Sequence, residues 1–210
     1  MQKKRLFIAI PLSASTAHSL KRITAELYEK LESSTDTDSV VNKESKIMDK
    51  IRFIPRENWH ITVTFLGDQN DNSLPAIADA IKIATNSFEP IEIAFEKIGY
   101  IPAKATEKNS KARMIWLHAD RASSERISKV KDVLDTALAS RGIAFQREMK
   151  LFLGHITLAR FGEGVDLSLL PQIERTVKFN FSGVSLDLME SELKKSGAEY
   201  GLLQSFAFNE

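Results

Sequence analysis

The tetrapeptide His-Ile-Thr plus an aliphatic residue occurs twice, as His60-Ile61-Thr62-Val63 in WHITVTFLG and as His155-Ile156-Thr157-Leu158 in LGHITLARF. Both copies lie in runs rich in β-branched and aromatic residues, which predicts a strand for each. Alternate side chains of a strand face opposite ways, so His60, Thr62 and Thr64 are expected on one face and Ile61, Val63 and Phe65 on the other. The same rule sets His155 and Thr157 against Ile156 and Leu158. The apolar face packs into a core, and the His/Thr face must meet water, a partner or a ligand. Only four histidines are present, and two of them head the same pattern at comparable places in the two halves. An internal duplication with two pseudo-equivalent lobes is the economical reading.

The rest of the chain supports that rhythm. RLFIAIPL (5–12) predicts a buried strand ending at a proline, and 14–31 has helical spacing. The polar tract at about 32–46 is expected to be a surface-loop insertion. A short strand and a Pro-containing turn precede the first His-Ile-Thr strand. Residues 74–86 read as a helix, 91–101 and 113–120 as strands, and 122–141 as a helix stopping near Gly142. A strand around 144–148, the second His-Ile-Thr strand, a helical turn near 167–174, and paired strands over 177–193 and 200–208 complete the pattern. Mixed strands and helices in this order predict an α+β fold, and 210 residues suit one compact unit over 1–210.

Composition removes several classes of function. A formal net charge of +1 argues against coating long nucleic acid by bulk electrostatics, although a local anion site stays open. With no cysteine, disulfides, thiolate catalysis and Cys-ligated metal centres are excluded. The apolar run near the N-terminus is too short for a signal-peptide core, and no stretch is long enough to span a membrane. A cytoplasmic location is expected.

Two imidazoles facing one cleft can serve as one base and one acid, because an unperturbed imidazole titrates at about 6.5. Threonine hydroxyls two residues along can donate to anionic oxygens held between them. That layout suits phosphoryl chemistry. A metal site is the competing reading of any histidine pair, but neither segment offers a further ligand at the right spacing on its His face. No glycine-flanked serine elbow is present for Ser-His-Asp chemistry.

These residues resemble the 2H phosphoesterase superfamily and, within it, the RNA 2′,3′-cyclic phosphodiesterase family, also called the 2′–5′ RNA ligase family. The resemblance runs through RLFIAIPL, PRENWHITVTFLG, ARMIWLHAD, GHITLARF and LDLMESELKKSGAEYGLLQSF. It implies a bilobal fold in which antiparallel sheets with outer helices line a central cleft, each lobe supplying one His and one Thr. It implies metal-independent opening of a terminal 2′,3′-cyclic phosphate to a 2′-phosphomonoester, with no cofactor, on RNA ends or small cyclic nucleotides. His60 would be the proton donor, His155 the proton acceptor, and Thr62 and Thr157 would hold the phosphate oxygens. Alternatives are a 2′–5′ RNA ligase, a 2′–5′ phosphodiesterase, or a non-catalytic binder of RNA ends or nucleotides. A monomer is expected, with no obligate protein partner.

Gly154 stands where the family often has proline, which would loosen the start of the second strand. Arg160 matches the family's pattern as a substrate contact, although strict alternation points it away from His155 unless the strand bulges. Trp59, Tyr100 and Phe152 flank the motif strands and are candidates to stack on a base, although packing under the sheets is the more common fate of such residues. His118 and His18 lack the Thr partner and read as surface or polar-network residues. Lys104, Lys108, Lys111 and Arg113 gather around a predicted turn, as a solvated loop or a guide for an RNA backbone.

Overall fold

The computed structural model describes residues 3–33, 47–101, 111–147, 151–194 and 197–209. β1 (Lys3–Pro11) leads into α1 (Ala14–Ser33), whose first turn donates Thr16 N–H to the Ser13 hydroxyl at 3.2 Å. α2 (Ile47–Lys50), β2 (Ile51–Phe53), β3 (His60–Asn70), α3 (Leu74–Asn86), β4 (Ile91–Ile101) and β5 (Lys111–Ala119) follow. Then come α4 (Arg121–Ser140), β6 (His155–Asp166), β7 (Arg175–Gly183), β8 (Ser185–Lys194) and β9 (Gly197–Ala207). Most of the polar tract predicted at 32–46 lies outside the described residues.

The strands form two antiparallel sheets, ordered β3-β1-β8-β9 and β2-β6-β5-β4-β7. With β2 set aside, β3 corresponds to β6, β1 to β5, β8 to β4 and β9 to β7. This is the two-lobed α+β arrangement expected from the repeated strands. α3 and α4 pack on each other, α3 also meets β8 and β9, and α4 meets β3 and β4. α1 reaches the other sheet through Tyr28 against Phe53, ring centres 5.3 Å apart, and through Arg175 Nη1 to Glu26 Oε2 at 2.5 Å. The apolar partners of the motif histidines fill the core, with Ile61, Ile156 and Leu158 fully buried.

Three predicted elements differ. Residues 144–147 form no strand; the segment is held instead by the Gln69 side-chain amide, which donates to the Ala144 carbonyl at 2.8 Å. The helical turn near 167–174 is one 3₁₀ turn over Leu167–Leu169. The run predicted as one strand from 177 is two, and β7 and β8 belong to different sheets. The chain crosses at Gly183, where a Cβ would stand only 2.8 Å from Ile10 Cγ2, so a side chain cannot fit without displacing the core. Gly142 ends α4 as predicted, with φ of +70°, a backbone that glycine adopts without steric cost.

One polar cluster is sealed beneath the first motif strand. Thr64 donates to Asp135 Oδ1 at 2.7 Å, while Lys131 Nζ reaches Asp135 Oδ2 at 3.0 Å and Thr64 Oγ1 at 3.2 Å. All three residues are buried. A buried charge left without its partner is costly. Asp135→Ala is expected to cost about 3–5 kcal/mol in urea denaturation, against much less for the triple change Thr64→Val, Lys131→Met, Asp135→Leu. Equal losses in the two variants would show that the ion pair is not what the site depends on.

Candidate active site

The two motif strands share an irregularity that their sequences do not announce. Thr62 pairs with Ala9 and Thr64 with Ile8, so Val63 has no partner on β1. Likewise Thr157 pairs with Trp116 and Ala159 with Ile115, so Leu158 has none on β5. Each is a one-residue bulge, and beyond it every side chain changes face. Val63 and Thr64 are therefore both buried, as are Leu158 and Ala159. This corrects the expected placement of Thr64, which faces the core and the Lys131–Asp135 pair. Phe65, expected in the core, is instead 58% exposed on the histidine face. The same bulge returns Arg160 to the face of His155 and Thr157, where it is exposed.

Each histidine is oriented by a backbone carbonyl two residues before it. His60 Nδ1 donates to Asn58 O at 2.7 Å, and His155 Nδ1 donates to Leu153 O at 2.8 Å. A carbonyl can only accept, so each Nδ1 carries a proton and Nε2 is the nitrogen that can take one up or give one away. His60 Nε2 lies 3.1 Å from Thr62 Oγ1, whose hydroxyl donates to it while the ring is neutral. The two strands touch across the boundary between the sheets.

The surroundings of the two rings differ. Phe7 and Tyr200 close around His60, with ring centres at 5.0 and 5.3 Å. Burial pushes the His60 imidazole down to about 4, helped by repulsion from His155 and Arg160, while the bond to Asn58 O opposes the shift. His155 is flanked instead by Trp116, stacked at 3.5 Å with planes 16° apart. Trp116 Nε1 is buried with no hydrogen-bond partner among the described residues. The indole therefore works as a flat wall that fixes the imidazole plane.

Sequence reasoning missed Trp116 and undervalued His118. Alternation along β5 was the available signal: Ile115, Leu117 and Ala119 are buried, which leaves Met114, Trp116 and His118 on the other face. His118 pairs directly with His155 across the sheet. Burial, then Lys97 and His155, push its imidazole down to about 4. Tyr200 lies in LDLMESELKKSGAEYGLLQSF, the closing hairpin that carries part of the family resemblance.

Other candidates fall elsewhere. Trp59 and Tyr100 are 6% and 7% exposed, and Tyr100 donates its hydroxyl to Pro171 O at 2.9 Å. Both are core residues with no ring face open to a base. Phe152 packs against the core, while its neighbours Leu151 and Leu153 are turned outward. Gly154 does not loosen its strand: its N–H donates to Ser124 Oγ at 3.1 Å and its carbonyl accepts from Ala119 N at 2.8 Å. Proline has no N–H to make the first bond. His18 is exposed on α1, Lys111 and Arg113 are exposed on β5, and Lys104 and Lys108 lie outside the described residues. Among the described residues no group of three His, Cys, Asp or Glu side chains is placed to hold a metal ion.

Residues 41–110 match the family model described as LigT like phosphoesterase. An RNA 2′,3′-cyclic phosphodiesterase of Methanocaldococcus jannaschii is 28% identical over 164 residues, which cover 76% of this chain and 86% of the relative. A protein of the same description from Methanothermobacter thermautotrophicus is 22% identical over 161 residues, covering 75% and 82%. The chain is similar in sequence to the LigT-like, or 2H, phosphoesterases. The crystal structure of E. coli LigT with 3′-AMP superposes with a TM-score of 0.71 over the whole of both chains at 17% identity. That of TT0787 of Thermus thermophilus superposes at 0.68, covering 97% of each chain at 20% identity. The phosphoesterase fold thus extends over both lobes.

The two depressed imidazoles set a pH dependence for stability. Below about 6.5 the unfolded chain takes up protons that folded His60 and His118 do not take up until about pH 4. Stability should therefore fall as the pH drops from about 6.5 to about 4. Thermal unfolding across that window should show the slope, and His60→Gln with His118→Gln should remove much of it. An unchanged slope in the double variant would contradict the burial described for these rings.

Proposed function

We propose that this phosphoesterase is a metal-independent RNA 2′,3′-cyclic phosphodiesterase, which opens a terminal cyclic phosphate to a 2′-phosphomonoester. The observation that carries the reading is the matched anchoring of His60 and His155, one from each lobe, each with Nδ1 tied to a carbonyl so that Nε2 is the reacting nitrogen. In the reaction, His155 Nε2 takes a proton from water as the water oxygen attacks phosphorus. The bond from phosphorus to the 3′ oxygen breaks, and protonated His60 delivers its proton to that oxygen. Thr62, Thr157 and Arg160 donate to the non-bridging oxygens, where negative charge accumulates.

Burial supports this division of roles. His60 is neutral in the free protein near pH 7 because it is poorly solvated. An anionic phosphate beside it acts through a lower effective dielectric than one beside a more open ring, so the anion favours its protonated form strongly. His60 thus gains its proton with the substrate and is charged when the leaving oxygen needs it. The curated relatives bear the same activity in their names, and the protein is expected to act as a monomer in the cytoplasm.

Purified protein with chelator should convert a short RNA ending in a 2′,3′-cyclic phosphate to the 2′-phosphate. His60→Ala and His155→Ala should each lower turnover by about 10²–10⁴-fold. Turnover indifferent to both substitutions, or a 3′-phosphate product, would overturn the mechanism.

A further inference from the structure

Arg52 and Arg160 stand directly opposite each other where β2 pairs with β6. Residues opposed in an antiparallel pair have Cα atoms about 5 Å apart and side chains on the same face, and like charges so placed repel. Ile51 and Phe53, the neighbours of Arg52 along β2, pack toward the core, whereas Arg52 is exposed. Among the described residues neither arginine has an ion-pair partner; Arg160 has one contact, Nη1 to Met114 Sδ at 3.7 Å. Two arginines thus stand opposite each other across β2 and β6, on the face of His155 and Thr157, with no carboxylate paired to either among the described residues.

Their placement separates two jobs. Arg160 is returned by the bulge to the face of His155 and Thr157, so it faces the phosphate that the proposed reaction sets between the histidines. Arg52 lies one strand further out, on the segment that runs directly into the first motif. That segment is fixed to β6 where Ile54 N donates to Leu158 O at 2.8 Å, at the bulge itself. An arginine so placed offers a forked donor for a second phosphate. The two side chains are long enough to diverge toward two phosphates joined by one nucleoside.

We propose that Arg52 binds the phosphate on the 5′ side of the terminal nucleoside, so that the enzyme favours an RNA end over a lone cyclic mononucleotide. This rests on the cyclic phosphodiesterase reading. A charged residue on an edge strand also discourages edge-to-edge pairing, and that role would leave the 5′ phosphate unrecognised.

Binding tests the two apart from turnover. Titration calorimetry would compare adenosine 2′-monophosphate with adenosine 2′,5′-bisphosphate, for the wild type, Arg52→Gln and Arg52→Lys. The wild type should prefer the bisphosphate by about tenfold, the increment of one charge-assisted contact. Arg52→Gln should bring the ratio close to one, and Arg52→Lys should keep much of it. Because the ratio is taken within one protein, partial misfolding of a variant cancels. No preference in the wild type, or an undiminished one in Arg52→Gln, would overturn the proposal. A wild type that opens no cyclic phosphate would instead defeat the functional reading, and the binding ratio would still decide the role of Arg52.

Discussion

The site depends on a single-residue bulge in each motif strand. Without the unpaired Val63 and Leu158, period-two alternation would run unbroken, and Arg160 would point into the core beside Ile156. With the bulges, each strand sends His and Thr to one face, then two consecutive residues inward, then one residue outward again. That outward residue is Phe65 in one lobe and Arg160 in the other. The lobes are therefore alike in backbone and different in chemistry: one presents an aromatic ring, the other a fixed positive charge. The inward residue after Val63 is Thr64, and its bonds to the buried Lys131–Asp135 pair tie the first bulge to α4.

The same two-fold scaffold gives the two candidate histidines unlike surroundings. Both imidazoles are held through Nδ1 by the carbonyl two residues back, so each presents Nε2. What separates them is the strand alongside. β1 places Ala9 next to Thr62, and Phe7 with Tyr200 encloses His60. β5 places Trp116 next to Thr157, and the indole stacks on His155 while His118 sits at the end of the row. Enclosure pushes the His60 imidazole down to about 4, so in the proposed mechanism that ring is charged only when an anion arrives.

Much of this was legible in the sequence, for physical reasons. Repetition of His-Ile-Thr in two β-rich runs revealed both strands, their inward isoleucines and the two-lobed plan, because pattern and period are local properties. The four catalytic candidates followed from the same local rule. What it could not reveal depends on register between distant strands. The bulges exist only relative to β1 and β5, so Thr64 was assigned to the wrong face and Phe65 to the core. Trp59 and Tyr100 could be read as base platforms or as core, because aromatic residues near a motif carry no local mark of depth. The division of 175–194 between two sheets turns on Gly183 meeting Ile10, a contact across the whole chain. The pairing of Arg52 with Arg160 is of the same kind.

The central claim is that two histidines from separate lobes act on one phosphate and that the enclosed one gains its proton with the ligand. Nitrogen-15 NMR of the imidazoles during titration with adenosine 2′-monophosphate near pH 7 reads both parts at once. His60 and His155 should shift together along one saturation curve, with His60 Nε2 moving from the unprotonated to the protonated range. A response confined to one ring, or a His60 that stays neutral at saturation, would contradict it.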